Sequence, residues 1–259
     1  MLQRMMSTVP ADLTGAFELR RAPARVALVR SDFGPTFEAL GLLGSPASDP
    51  RAPPTVGGRG GAWIADAGGP GEIVIRPGRR GGWFGKLVRA RYFAGDRFLD
   101  ELVLTERLRR RGAPVPDPLA AVRRQRRVGY ETWLITRRIP GAVPAADLLA
   151  GAPAERLPDL LRAMGRAVAA LHGAGGDHAD LNAWNVLIAG SDEPRAHVVD
   201  LDRGRLRSAP LGATRAAANL ARLRRSLGRL GLVDALAAWT EFESGYASGA
   251  AAAAEGAAS

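Results

Sequence analysis

The sequence has no cysteine, three histidines and a single lysine, Lys86, among its 36 basic residues. Without cysteine, the chain forms no disulfide, offers no thiolate nucleophile and has no thiolate ligand for zinc or an iron–sulfur cluster. Three histidines leave little room for a histidine-rich metal site, whereas a hard cation held by carboxylates stays possible. The composition therefore excludes thiol and disulfide chemistry.

Long apolar segments are also missing. No run of about 18 apolar residues occurs, so the sequence predicts no transmembrane helix. The first residues, MLQRMMSTVPADL, lack the apolar stretch of a signal peptide. The 259 residues, 46% of them hydrophobic, are typical of a globular protein with one large or two small domains. We therefore expect the protein to stay in the cytosol or on a membrane surface that faces it.

The formal net charge of +10 arises in one region. Between Arg76 and Arg127 the chain has 15 basic and five acidic residues, while the rest has 21 of each. A local excess of this size favours an anionic partner such as nucleic acid, a phosphorylated ligand or an acidic lipid surface. The alternative is a basic face that is simply solvated.

The pattern of apolar residues changes near residue 140. Before it, short β-branched or apolar runs predict strands at 25–30, 72–76, 120–124 and 132–139, with an amphipathic helix over Arg97–Arg111. After it, the pattern is mainly helical. Residues 248–259 are almost entirely Ala, Gly and Ser, which predicts a disordered tail.

The densest polar cluster is HADLNAWNVLI at 178–188, followed by VVDLDR at 198–203. Asp180 precedes Asn185 by five residues, and Asp200 follows fifteen residues later. Phosphoryl transfer uses such groups: one carboxylate accepts the proton of the attacking hydroxyl, while an amide and a second carboxylate hold Mg²⁺. An HxDxxxxN segment followed by apolar strands and an Asp-containing turn is the catalytic-loop pattern of protein kinases. The alternative is that Asp180 caps a loop and Asp200 ends a strand.

Segments upstream favour the kinase interpretation. The glycines of 57–61 are typical of a loop that covers phosphates and precede the strand EIVIR. A kinase also needs a cation on that strand, paired with a helix carboxylate. Arg76 occupies the strand position, and Glu101 is its expected partner, with Glu106 as the alternative. We predict a bilobal, protein-kinase-like α+β fold, with an antiparallel-sheet N-lobe over 1–140 and a mainly helical C-lobe over 141–247.

Several longer segments are more specific than this general pattern. They are GRGGAW at 58–63, IRPGRRGGWFGKLVRARY at 75–92, RRRGAPVPDPLAA at 109–121, HADLNAWNVLI, VVDLDR and NLARLRRSL at 219–227. Together they resemble the lipopolysaccharide kinase family over roughly residues 56–230. RRGGxxGK and HxDLNAxN carry most of that resemblance.

The resemblance implies ATP- and Mg²⁺-dependent phosphorylation of the 4-hydroxyl of 3-deoxy-D-manno-octulosonic acid (Kdo) in Kdo–lipid IVA, during lipopolysaccharide core biosynthesis. It also implies a peripheral protein on the cytoplasmic side of the Gram-negative inner membrane. The expected partners are the Kdo–lipid IVA acceptor and the anionic membrane surface. Neither nucleic acid nor an obligate protein partner is expected.

Residue roles follow from the same resemblance. Asp180 is expected to be the catalytic base, braced by His178, and Asn185 and Asp200 are expected to bind Mg²⁺. The ATP-binding residues implied are Gly58, Gly60, Gly61, Arg76 and Glu101. Ala179 and Asp202 depart from ordinary protein kinases, which argues against regulation through an activation loop. Trp184 stands where close relatives often carry His, which leaves the acceptor open.

The basic segment 76–97 interleaves arginines with aromatic residues. Basic and aromatic side chains favour an anionic membrane interface, and arginine binds phosphate and carboxylate groups. Our hypothesis is that Arg79, Arg80 and Lys86 contact the acceptor or the membrane. Lys86 is also the alternative to Arg76 for the ATP phosphates.

Other functions stay open at the level of the sequence. A lipopolysaccharide heptose kinase or another small-molecule phosphotransferase would use the same catalytic residues. A basic nucleic-acid-binding protein is a candidate from another class, although no recognised binding motif is present. A pseudokinase scaffold is disfavoured by the joint presence of Asp180, Asn185 and Asp200.

Overall fold

The computed structural model describes residues 8–43, 62–78, 97–127 and 129–258. The chain forms two compact units: Met1–Val103 with Asp117–Arg138, and Leu104–Pro116 with Ile139–Ser259. The sequence assigns 104–116 to the N-lobe, but the structure groups this segment with the second unit. The reason is burial, since Leu104, Leu108 and Val115 lie in the hydrophobic core of the second unit.

An antiparallel sheet, six-stranded within the described residues, forms the first unit in the order β1-β2-β5-β6-β4-β3. Its elements in chain order are β1 (Phe17–Ala22), β2 (Arg25–Arg30), α1 (Gly34–Ala39), β3 (Trp63–Asp66), β4 (Glu72–Pro77), α2 (Arg97–Arg110, whose residues from Leu104 on belong to the second unit), β5 (Pro118–Gln125) and β6 (Tyr130–Arg137). Strand β1 is not among the strands predicted from the sequence. Its pattern is hard to recognise because Phe17 is the one residue of the strand that is buried.

Both faces of this sheet are covered, which explains the continuous apolar runs of its central strands. On β6, Trp133 and Ile135 pack on one face with Phe37 of α1. Leu134 points to the other face, where it joins a cluster with Phe98 and Leu102 of α2. The helix predicted at 97–111 is thus confirmed as α2, and the apolar residues of its first half cover the sheet.

The second unit is mainly helical. Its elements in chain order are β7 (Val143–Pro144), α3 (Ala145–Gly151), α4 (Leu157–Gly173), β8 (Gly176–Asp177), β9 (Val186–Ala189), β10 (Arg195–Val198), β11 (Arg205–Leu206), α5 (Ala213–Arg229), α6 (Val233–Ala237) and α7 (Trp239–Ala258). Strands β10, β9 and β7 form one small antiparallel sheet, and β11 pairs with β8 in another. Helix α4 is the central element, with eleven buried residues.

The predicted disordered tail at 248–259 is wrong for residues up to Ala258, because α7 continues to that residue. Small residues make this possible by allowing two helices to approach closely. A Cβ built on Gly165 of α4 would collide with the Phe242 carbonyl, and one built on Gly245 of α7 would collide with Arg162 backbone. Alanine also has the highest helix propensity. The Ala/Gly composition therefore reflects helix packing.

None of the helices within the described residues is both long enough and apolar enough to cross a membrane.

Candidate active site

The HxDxxxxN segment forms a tightly bonded loop between β8 and β9. The backbone carbonyl of Asp180 accepts hydrogen bonds from Asn185 Nδ2 at 2.8 Å and from Asn182 Nδ2 at 2.9 Å. Asn182 Oδ1 in turn accepts from the Trp184 N–H at 2.9 Å, which caps a short 3₁₀ turn. These bonds hold the backbone of Asp180, while its side chain is exposed.

His178 braces this loop from inside. Its side chain is fully buried, and Nδ1 accepts the Asp180 N–H at 3.1 Å. Since Nδ1 is an acceptor there, the hydrogen of the neutral ring lies on Nε2, which donates to the Val199 carbonyl at 3.0 Å. Burial lowers the pKa of His178 and so favours this neutral form. The ring thereby connects the Asp180 loop to the residue before Asp200.

The antiparallel β9–β10 hairpin brings Asn185 and Asp200 to the same end of a strand pair. Val186 lies opposite Val198, and the Val199 N–H donates to the Asn185 carbonyl at 2.9 Å. Asp200 follows directly, with a left-handed φ of 60°. Aspartate is one of the few residues other than glycine that tolerates this conformation, which is found often at functional sites.

The residues at this end fit a hard cation. The Nδ2 of Asn185 is used on the Asp180 carbonyl, so the amide oxygen is the end suited to a cation. An amide oxygen and a carboxylate are ligands that Mg²⁺ accepts, with nucleotide phosphates and water completing the shell. The described residues contain no group of three His, Asp or Glu side chains that could hold a metal by themselves. A cation site that is completed by nucleotide phosphates does not need three such side chains.

Helix α5 supports the loop through residues to which the sequence assigns no role. Buried Asn219 accepts the His178 N–H at 3.1 Å, and Arg222 donates to the His178 carbonyl at 3.0 Å. Ser226 Oγ accepts the Ala183 N–H at 3.0 Å. All three lie in the segment NLARLRRSL, whose resemblance to the family was the one sequence feature that could have indicated a role for them. No local pattern in that helix predicts contact with a loop forty residues earlier.

Asp177, the last residue of β8, is surrounded by donors. Its carboxylate accepts from Arg207 at 3.1 Å, Arg215 at 3.0 Å and Asn219 Nδ2 at 3.1 Å. Burial alone would raise the pKa of Asp177, but these hydrogen bonds outweigh it and lower the pKa. The carboxylate is therefore ionised and fixes the start of the Asp180 loop to α5 and to the segment after β11.

In the first unit, Arg76 of β4 and Glu101 of α2 form an ion pair, with Arg76 Nη2 and Glu101 Oε1 separated by 2.5 Å. The Arg76 guanidinium also lies 5.2 Å from the ring centre of Phe98. The predicted Arg76–Glu101 pairing is thus confirmed as a contact. The alternative partner, Glu106, belongs to the second unit and instead accepts from Arg109 and Arg110.

Several predicted site residues lie outside the described part of the chain. They are Gly58, Gly60, Gly61, Arg79, Arg80 and Lys86. Of the described candidates, the structure joins His178, Asp180, Asn185 and the segment of Asp200 in one bonded loop system, and it joins Arg76 to Glu101.

An antiparallel-sheet unit, a helical unit and an Asp–Asn–Asp loop system define a kinase-like phosphotransferase. The fold agrees with a solved structure of WaaP in complex with acyl carrier protein, at a TM-score of 0.51 and 19% identity over 85% of this chain and 88% of that one. The model of the lipopolysaccharide kinase (Kdo/WaaP) family matches residues 54–246. The chain belongs to this family, as the sequence predicted.

Similar proteins of known name support the same family assignment. A 3-deoxy-D-manno-octulosonic acid kinase of Xanthomonas campestris pv. campestris (strain B100) is 41% identical over 192 residues, 70% of this chain and 72% of that protein. One of Xylella fastidiosa (strain M12) is 39% identical over 180 residues, 68% of this chain and 69% of that protein. The chain is therefore a lipopolysaccharide core kinase, which makes it a phosphotransferase.

Proposed function

We propose that this kinase transfers the γ-phosphoryl group of ATP to the 4-hydroxyl of Kdo in Kdo–lipid IVA. The observation that carries the proposal is the bonded loop in which Asn185 Nδ2 holds the Asp180 carbonyl while Asn185 itself is bonded to Val199, next to Asp200. The similarity to Kdo kinases over more than two thirds of their length supports the acceptor.

In the proposed mechanism, the exposed carboxylate of Asp180 accepts a hydrogen bond from the acceptor hydroxyl and takes its proton as the oxygen attacks the γ-phosphorus. The bond from that phosphorus to the β,γ-bridging oxygen breaks, and ADP leaves. His178 keeps the loop in position through Nδ1 and Nε2 and stays neutral. Asn185 and Asp200 would hold Mg²⁺, which supplies charge neutralisation of the phosphate oxygens when bound.

On the first unit, Arg76 is proposed to contact the ATP phosphates. Glu101, whose side chain is 2% exposed, keeps the guanidinium of Arg76 oriented through their ion pair. Gly58, Gly60 and Gly61 are proposed to cover the phosphates, and Arg79, Arg80 and Lys86 to contact the acceptor or lipid. The protein would then act peripherally on the cytoplasmic side of the inner membrane.

The test is a phosphorylation assay with Mg²⁺, ATP and two acceptors, Kdo–lipid IVA and a heptosylated derivative lacking a free Kdo 4-hydroxyl. Mass spectrometry of the products should show one added phosphate on Kdo–lipid IVA and none on the blocked acceptor. Phosphate on the heptosylated acceptor alone would replace the proposal with a heptose kinase. Asp180→Ala, which removes an exposed carboxylate, serves as the inactive control.

Nucleotide binding is tested separately by thermal shift. Mg²⁺–ATP should raise the melting temperature of the wild type, because a ligand that binds the folded state stabilises it. Asp200→Ala should abolish the part of that shift that depends on Mg²⁺. A wild type without any shift would point to a pseudokinase scaffold.

A further inference from the structure

A second basic region follows the segment of Asp200. It adds nothing to the net charge outside 76–127, because acidic residues elsewhere balance its arginines. From Arg203 to Arg229 the chain has no acidic residue and eight arginines. They are Arg203, Arg205, Arg207, Arg215, Arg222, Arg224, Arg225 and Arg229. A segment of one charge sign beside a catalytic loop attracts anions to that loop.

The start of this region runs alongside the entry to the catalytic loop. In the antiparallel pairing of β11 with β8, Arg205 lies opposite Asp177 and Leu206 opposite Gly176. Residues before Arg205 therefore run beside residues that follow Asp177. Asp180 comes three residues after Asp177, so the backbone of 203–205 runs beside the start of the segment that leads to Asp180.

Some guanidinium groups of this region are bonded to other parts of the protein, and others are exposed. Arg207 and Arg215 bond to Asp177, and Arg222 donates to the His178 carbonyl. Arg203 and Arg205 are exposed, and within the described residues neither forms an ion pair or a side-chain hydrogen bond. Among the described residues, these two exposed guanidinium groups are thus not committed to an ion pair, and the strand of Arg205 pairs with the one that leads to Asp180.

The backbone at Arg203 is unusual for an arginine. The Gly204 N–H closes a turn on the Leu201 carbonyl at 2.8 Å, and Arg203, the third residue of that turn, has a φ of 63°. Glycine is the usual residue at such a position, since a side chain makes the left-handed conformation unfavourable. An arginine held in that conformation beside a catalytic loop is consistent with a use for its guanidinium.

We propose that Arg203 and Arg205 form an anion subsite that binds a phosphate or carboxylate group of the acceptor and so positions the sugar hydroxyl at Asp180. Guanidinium groups bind such anions through paired, charge-assisted hydrogen bonds. The inference rests on the proposed function, in which the acceptor is an anionic glycolipid. Arg207, which follows the strand of the subsite, holds that strand in position through its bond to Asp177.

Steady-state kinetics with Kdo–lipid IVA test the subsite. Arg203→Ala/Arg205→Ala should raise the KM for the acceptor about tenfold or more and leave the KM for ATP unchanged. Arg225→Ala/Arg229→Ala is the matched control, because it removes the same charge from exposed positions further along α5. An unchanged acceptor KM in the first variant, or an equal rise in the control, overturns the proposal.

Arg203→Gly separates binding from folding. Glycine suits a φ of 63°, so the variant should melt at the same temperature as the wild type or higher, while its acceptor KM rises. A lower melting temperature with an unchanged KM would assign Arg203 a structural role and overturn the proposal.

A binding assay that needs no catalysis tests the subsite independently of the proposed function. The readout is co-sedimentation with phosphatidylcholine vesicles that carry Kdo–lipid IVA, compared with phosphatidylcholine–phosphatidylglycerol vesicles of equal charge. Arg203→Ala/Arg205→Ala should lose the preference for the glycolipid. If the wild type binds with this preference but phosphorylates nothing, the proposed function fails and the subsite stands. Equal loss of binding to both vesicles would indicate general membrane attraction and overturn the subsite.

Discussion

Asn185 Nδ2 donates a 2.8 Å hydrogen bond to the backbone carbonyl of Asp180, five residues earlier in the chain. The NH2 group of the Asn185 side chain is used in this bond, so the side-chain oxygen is the atom that can bind a cation. It therefore couples the position of the proposed base to the proposed metal ligand. The same coupling runs through His178, which bonds to Asp180 and Val199.

Asp180→Asn should lower kcat by about 10²- to 10⁴-fold with little change in melting temperature. An amide cannot accept the proton of the hydroxyl, and general base catalysis contributes factors of this size. Folding should survive because the loop bonds use the backbone of Asp180 and its side chain is exposed. Kinetics and thermal unfolding check the two effects, and a variant with full kcat would remove Asp180 from the mechanism.

Arg76→Ala should raise the KM for ATP and reduce the free energy of unfolding by about 1.5–3 kcal/mol, the usual worth of a hydrogen bond to a charged group. The loss arises because the Glu101 side chain, 2% exposed, is left without this cation. Denaturant unfolding and ATP titration are the measurements.

Glu72→Ala is the control for Arg76→Ala, since the Glu72–Arg138 pair lies at the surface with the Glu72 side chain 50% exposed. It should change stability by less than about 1 kcal/mol. Equal effects of the two variants would contradict a special role for the buried pair. If Arg76→Ala left the KM for ATP unchanged, Lys86 would replace Arg76 as the residue proposed to contact the ATP phosphates.

Gly245→Ala should destabilise the protein by about 1–3 kcal/mol, because its new methyl group would collide with the Arg162 backbone on α4. Gly228→Ala is the matched control within a helix, since the nearest atom to its added Cβ, Leu236 Cδ1, is 3.7 Å away. That variant should be neutral or more stable by about 0.5–1 kcal/mol. Denaturant melts distinguish them, and a harmless Gly245→Ala would argue against the close α4–α7 packing.

Stability should fall as the pH drops from 6.5 to 5. Burial lowers the pKa of His172 from 6.5 to about 4, so the unfolded chain takes up a proton in this window that the folded chain does not. Stability is therefore complete above the unfolded pKa and is lost below it, by about 1–2 kcal/mol for this group down to pH 5.

His172→Gln, which does not titrate, should flatten this dependence. Buried His178, whose pKa is also lowered, adds a contribution of the same sign that remains in the variant. Denaturant unfolding at several pH values gives the slope. A slope that is the same in wild type and variant would show that His172 is not the group responsible.

Local patterns were enough to predict much of the architecture. The runs at 25–30 and 72–76 are strands, and 97–111 is a helix, as expected from periodicity and β-branched content. Strand β1 was not predicted, because most of its residues are only partly buried and alternation is weak. The Ala/Gly tail was misinterpreted because composition does not reveal that Gly249 lies against α4.

By itself, the sequence determined the chemistry available to this protein: no thiols, one HxDxxxxN loop with a following Asp, and membership of a kinase family. These are properties of residue type and short spacing, which do not depend on distant contacts. Only the tertiary structure decided that Glu101 and not Glu106 pairs with Arg76, and that Asn219, Arg222 and Ser226 support the catalytic loop. These partners are 25 to 44 residues apart in the chain, and only folding determines which of the many possible pairs meet.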